Sequence, residues 1–177
     1  MDPRHYVATE TLKDGTLVTV RAIRLDDADA VAKAFNDLDR ESVYRRFFGL
    51  KKELTDDELA QLTDVDFKGV VALLVTKRTG ESEVLMGGGR FAADNPGSAK
   101  AELAFVTGGN YRGLGIASLI LRHLVRIAQE SGIAGFEADV LAENQPMLGV
   151  FRRSGLPMQL GRDGNVLHVT LALQPDS

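Results

Sequence analysis

The chemistry-bearing residues of this chain gather in one stretch. Val106-Thr107-Gly108-Gly109-Asn110-Tyr111-Arg112-Gly113-Leu114-Gly115-Ile116-Ala117 places four glycines between an apolar run and an amphipathic one. A glycine-rich turn from strand to helix leaves free backbone N–H groups at the helix start. With the helix dipole these form an anion site, most often for phosphate. Glycine also lets the backbone approach a ligand without a Cβ clash. The other reading is that these glycines only shape a tight loop. No Gly-Lys-Ser/Thr follows and no GxGxxG is present, so neither a P-loop nor a dinucleotide fingerprint is written here.

Directly upstream lies Glu102, an acid in the otherwise apolar strand Leu103-Ala104-Phe105-Val106. An acid so placed is expected to be partly desolvated, which suits a general base. Alternatively it lies on a solvated strand face, or pairs with Lys100 or an arginine. Downstream, Asn144 precedes Gln145-Pro146 and suits a helix N-cap. Arg112, Arg152 and Arg153 offer fork donors for phosphate or simple surface solvation.

Elements that can position these residues follow from the pattern. Thr16 to Ile23 reads as a strand after the Lys13-Asp14-Gly15 turn. Asp26, Asp27 and Asp29 crowd the start of a helix carrying Ala28, Val31, Ala32, Phe35 and Leu38. A second helical region spans Glu41 to Leu62, restarted at Thr55-Asp56-Asp57-Glu58 with capping-box spacing. Gly69 to Val75 is expected as a central strand and Glu83 to Phe91 as its hairpin partner, closed by Asp94-Asn95-Pro96-Gly97. Ala101 to Thr107 is a further strand. Leu114 to Glu130 is the strongest helix, with Ala117, Ile120, Leu121, Leu124 and Ala128 on one stripe, ended by Gly132. Gly135 to Leu141 is a strand, Asn144 to Ser154 a helix, and Met158 to Leu173 two strands about Arg162-Asp163-Gly164-Asn165. The order is β-α-α-β-β-β-α-β-α-β-β, a mixed α/β (α+β) domain over residues 16–173. Residues 1–15 are expected as an N-terminal arm and 174–177 as a tail.

Composition narrows the choices. The 177 residues suit one domain. Cysteine is absent, which excludes a disulfide framework and a Cys nucleophile. The three histidines, His5, His123 and His168, lie far apart in the sequence without metal-ligand spacing, so no metal is expected. His123 and His168 read as structural or surface residues. No apolar run approaches the ~20 residues of a membrane span, and Met1-Asp2-Pro3-Arg4-His5 lacks a signal-peptide core. With 25 acids against 21 bases, nucleic acid is a disfavoured partner. The expectation is a cytoplasmic protein without membrane or nucleic-acid partner, monomeric or homodimeric. Glycine is enriched at 18 residues; Gly87, Gly88 and Gly89 suggest a bulge or a close backbone approach.

Three segments resemble the GNAT superfamily of N-acetyltransferases. Arg112 to Ala117 is similar to its pyrophosphate loop. Asn144 through Phe151 to Gly155-Leu156 is similar to its Asn-x-x-Ala-x-x-x-Tyr-x-x-x-Gly-Phe segment. Val20-Arg21-Ala22-Ile23-Arg24 before Asp26-Asp27-Ala28 is similar to its first strand and helix. Glu41 to Phe48, Ala101 to Val106 and Val140 to Asn144 further resemble bacterial protein-lysine acetyltransferases that modify acyl-CoA synthetases.

The resemblance implies a mostly antiparallel central sheet flanked by helices and acetyl transfer from acetyl-CoA to an amine by direct attack in a ternary complex. It implies that Arg112, Gly113, Leu114, Gly115, Ile116 and Ala117 hold the pyrophosphate. Val106, with Thr107 beside it, supplies an oxyanion N–H, Asn144 meets the pantetheine arm, and Glu102 is the base. Free lysine, with a pKa near ~10.4, must lose a proton before attack. Two positions depart from the pattern. Asn110 stands where Gln or Arg is usual. Phe151 stands where many members carry the tyrosine that protonates the leaving thiolate; either water or another group, Tyr44 or Tyr111 among them, takes that task, or the thiolate leaves unassisted. The implied acceptor is a protein lysine, possible on an acyl-CoA synthetase. A small-molecule amine, or a non-enzymatic acyl-CoA-binding role, are the alternatives.

Overall fold

The computed structural model describes residues 3–36, 63, 69–93, 99–107 and 113–173. The elements are β1 (Val7–Thr11), β2 (Leu17–Ala22), α1 (Ala28–Asn36), β3 (Val70–Thr79), β4 (Ser82–Ala93), β5 (Lys100–Thr107), α2 (Ile116–Glu130), β6 (Gly135–Leu141), α3 (Gln145–Arg153), β7 (Met158–Asp163) and β8 (Val166–Ala172). Eight strands form one sheet in the order β1-β2-β3-β4-β5-β6-β8-β7. Every neighbouring pair is antiparallel except β5 and β6.

The expected elements are found where they fall on described residues. One strand is added: β1, expected as an arm, pairs with β2 from Val7↔Arg21 to Thr11↔Leu17. Its β-branched alternation before the Lys13-Asp14-Gly15 turn is a hairpin signal. Gly15 takes φ 90°, and the Thr16 N–H donates to Asp14 Oδ1 at 2.9 Å. The expected helical region 41–62 and the 94–97 turn lie outside the described residues.

β3 shows why a continuous apolar run makes a central strand: it is buried on both faces. Val71, Leu73 and Val75 join the large core under α2 and α3, whereas Ala72 and Leu74 join Ile23, Val31 and Leu85 on the α1 side. The α1 side is fixed by Arg21. Its guanidinium donates to Asp27 at 2.9 and 2.7 Å and to Glu83 at 3.2 and 2.7 Å. Burial acts to raise the Asp27 carboxyl, but Arg21 and the Arg24 N–H outweigh it and hold it below the ordinary range. The same arginine lowers Glu83.

The glycines of β4 answer to two constraints. The β3–β4 register moves from Val75↔Gly87 to Thr76↔Leu85, so Met86 is the extra residue of a bulge. At Gly89 an added Cβ stands 2.6 Å from Ile120 Cγ2 and 2.8 Å from Phe105 Cδ1. Gly89 therefore lets α2 and the Phe105 ring close onto the sheet.

Candidate active site

The parallel pair β5 and β6 is joined by only three register partners, Lys100↔Gly135, Ala101↔Phe136 and Glu102↔Glu137. Beyond Glu102 the strands part. β5 stays paired with β4 through Thr107, and β6 stays paired with β8 through Leu141. The facing edges of residues 103–107 and 138–141 thus lack a ladder partner among the described residues. An unpaired strand edge presents backbone N–H and C=O groups. Edges of this kind, here bounding a wedge, can hydrogen-bond an extended, amide-bearing chain.

Because the two strands run parallel, their C-terminal ends lie at the same end of the wedge, and α2 and α3 both begin there. Gly113 has φ 81°, and Gly115, the N-cap of α2, has φ 85° with no side-chain cap. A Cβ is disfavoured in that left-handed region, which explains glycine at both positions. The Leu119 N–H bonds Gly115 O at 3.0 Å, so helical bonding starts there. The N–H groups of Ile116, Ala117 and Ser118 precede that bond and lack intrahelical partners. At α3, the Asn144 side chain accepts the Met147 N–H at 3.3 Å, the N-cap role foreseen for it, with Pro146 in the first turn.

Two aromatic rings link the parted strand to α3. Phe105 of β5 and Phe151 lie with ring centroids 6.3 Å apart and planes at 59°. Phe151 is 1% exposed. It is a packing residue that holds α3 against the wedge.

Glu102 lies on the opposite face of β5 from buried Ala101 and Leu103. It is exposed, so the expected partial burial is not found. The strand's period of two puts it on the face away from α2 and α3. The expected pairing partner, Lys100, instead lies 3.7 Å from Glu137. Asp139 shares this face and accepts from or faces His168 Nδ1 at 2.8 Å. Glu102, Glu137 and Asp139 therefore form an acidic strip on the exposed side of the wedge.

The remaining candidates fall as follows. Val106 and Thr107 lie in the parted stretch of β5, and Leu114 is half-buried beside Gly115. Arg112, Asn110, Tyr111, Gly108, Gly109 and Tyr44 lie outside the described residues. Arg152 is exposed, and Arg153 folds back so that its Nη1 stands 2.8 Å from where a Gly149 Cβ would be. Tyr6 is the one tyrosine among the described residues, and its hydroxyl is bonded to His123 Nδ1. Among the described residues no group of three or more His, Asp or Glu is placed to hold a metal ion, and no helix is long and apolar enough to cross a membrane.

Sequence reasoning missed the contact between β1 and α2. His123, 5% exposed, bonds Tyr6 on one ring nitrogen and Glu10 on the other, Nε2 to Oε1 at 2.9 Å. A histidine within the apolar stripe of a helix was the available signal.

Comparison with known proteins agrees with this geometry. The sequence model of the acetyltransferase (GNAT) domain matches residues 18–157. An acetyltransferase of Pseudomonas aeruginosa is 29% identical over 143 residues, 81% of this chain and 75% of that protein. Acetyltransferase Pat of Mycolicibacterium smegmatis is 27% identical over 144 residues; the match spans 81% of this chain but 42% of that protein. Among solved structures, the GNAT domain of S. lividans PAT superposes with a TM-score of 0.85 at 29% identity, covering 94% of this chain and 97% of that one. At 17% identity the fold is shared with yncA of Salmonella typhimurium, a putative acetyltransferase solved with its cofactor acetyl-CoA, at a TM-score of 0.70 over 90% of this chain and 96% of that one. The wedge between β5 and β6 is thus carried on a domain of known kind: the chain belongs to the GNAT acetyltransferase family, enzymes that transfer an acyl group from acetyl-CoA.

Proposed function

We propose that this protein acetylates a lysine amine of a protein substrate, with an acyl-CoA synthetase as the class of target, and that the wedge is its donor site. The parting of β5 and β6 beyond Glu102 carries this reading. The slot offers backbone donors and acceptors to the amide-bearing pantetheine arm. At its open end the Ile116, Ala117 and Ser118 N–H groups and the positive end of α2 suit a pyrophosphate. Gly113 and Gly115 add no side chain of their own to that approach. Arg112 and Asn144 complete the contacts that the family resemblance implies.

The donor supplies an activated thioester carbonyl. The chain's own residues do the rest. Glu102, at the narrow end of the slot, removes a proton from the attacking ammonium, directly or through water. Its exposure leaves the carboxylate open to an incoming acceptor. The Val106 N–H donates to the oxygen that gains charge. Phe151 has no proton to give, so the thiolate takes one from water. The acidic strip of Glu102, Glu137 and Asp139 favours a cationic acceptor such as lysine. The resemblance to protein-lysine acetyltransferases and the similarity to Acetyltransferase Pat support a protein substrate.

The test is incubation with acetyl-CoA and a purified acyl-CoA synthetase or a cell extract, read with an antibody to acetyl-lysine. Labelled protein above a Glu102→Gln control is expected. Coenzyme A release from small amines with no labelled protein moves the acceptor to the small-molecule class.

A further inference from the structure

The hairpin joining β1 to β2 brings a cation to the start of α2. Lys13 Cγ, Cδ and Cε lie 3.9, 3.8 and 3.3 Å from where a Gly115 Cβ would stand. The aliphatic stem thus runs along the N-cap of α2, and Gly115 leaves room for it. Lys13 itself is exposed. Among the described residues no carboxylate pairs with its ammonium, and neighbouring Asp14 is turned to the Thr16 N–H.

This placement is fixed by packing. Leu12, just before Lys13, is buried in the main core. Tyr6 meets His123 edge-on at 5.5 Å and bonds its Nδ1. Glu10 holds His123 Nε2 at 2.9 Å and faces Arg122 at 3.7 Å. β1 therefore runs beside α2 from His123 towards Gly115. The family match begins at residue 18, so β1 and its turn lie before the residues that it covers.

A cation at a helix N-terminus opposes the helix dipole, which favours anions there. An anion bound at the helix start lies within reach of a lysine whose stem runs along Gly115, and is attracted by both positive features. We propose that Lys13 is a phosphate-binding residue of the acetyl-CoA site, its ammonium pairing with the pyrophosphate or the 3′-phosphate of the cofactor. This rests on the reading of the α2 N-terminus as the cofactor's phosphate site. The N-terminal hairpin is then a working part of the donor site.

The test is a ligand-observed NMR titration of coenzyme A, dephospho-coenzyme A and pantetheine against the wild type, Lys13→Met and Lys13→Arg. Lys13→Met keeps the stem and removes the charge. It is expected to weaken coenzyme A about tenfold, the scale of one charge-assisted hydrogen bond, and to leave pantetheine unchanged. Lys13→Arg is expected to stay within about twofold of the wild type. A loss shared by dephospho-coenzyme A assigns the pyrophosphate; a loss confined to coenzyme A assigns the 3′-phosphate. Unchanged coenzyme A affinity in Lys13→Met, or an equal loss for pantetheine, overturns the proposal. Wild-type protein that binds coenzyme A no tighter than pantetheine overturns the phosphate-site reading itself.

Discussion

Glu102 and Glu137 stand side by side as the last register partners of β5 and β6 before the strands part. One of these carboxylates borders the slot from the strand that leads into the glycine loop; the other faces Lys100 at 3.7 Å. Their roles therefore differ. Glu102→Gln is expected to lower kcat by about 10²- to 10⁴-fold, the range for loss of a general base, with coenzyme A affinity unchanged. Glu137→Gln is expected to act on the acceptor's KM and to change kcat by less than about tenfold. A coenzyme A release assay with separate kcat and KM checks both. Loss of cofactor affinity in Glu102→Gln moves that carboxylate from catalysis to binding.

Gly115 adopts φ 85° at the N-cap of α2. Gly115→Val adds a β-branched side chain in a region disfavoured by about 1–2 kcal/mol, and brings its Cβ within 3.3 Å of Lys13 Cε. Expected are a modest loss of stability and a larger loss of acetyl-CoA affinity, at least about tenfold, read by calorimetry. Unchanged affinity rejects the helix start as the phosphate site.

Arg21 holds two carboxylates at once. Arg21→Met leaves buried Asp27 unpaired and is expected to cost about 3–5 kcal/mol in urea unfolding. Adding Asp27→Asn to Arg21→Met is expected to recover part of that loss, since the stranded charge is then removed. Additive losses in the double variant contradict the pairing.

His123 gives the fold a pH dependence. Burial lowers its pKa, although Glu10 draws it back up and Arg122 and Arg126 push it down further. The unfolded chain therefore binds a proton that the native state resists. Stability is full above the ordinary histidine value of 6.5 and falls as the solution is acidified through it. Between about pH 7.5 and 5.5 the unfolding free energy should decline, by no more than about 1.4 kcal/mol per pH unit for one proton. His123→Gln should flatten that slope. Asp27 and Glu83, held low by Arg21, lose their contribution only below their ordinary values of 3.8 and 4.5. An equal slope in the variant assigns the dependence to other groups.

Much of this was legible in the sequence because local physics wrote it there. The alternation of β2 and β8, the apolar run of β3 and the stripe of α2 each report burial against a neighbour. The glycines at 113 and 115 report a left-handed entry to a helix. Other features come from contacts between distant segments. Nothing near Glu102 tells which face of β5 it occupies relative to the core, and its exposure followed only from the sheet. Gly89 is explained by Phe105 and Ile120, neither of them adjacent in sequence. β1 reads as an arm until Tyr6 and Glu10 are seen to meet a histidine on α2. The parting of β5 and β6 is a property of pairing, which no single strand encodes.

The most direct measurement is a crystal structure with acetyl-CoA bound. Expected are the pantetheine arm between residues 103–107 and 138–141, the pyrophosphate on the N–H groups at the start of α2, and the thioester within reach of Glu102, directly or through one water. A cofactor lying outside the wedge, or a thioester on the α2 side of the sheet and out of reach of Glu102, contradicts the assignment of donor site and base together.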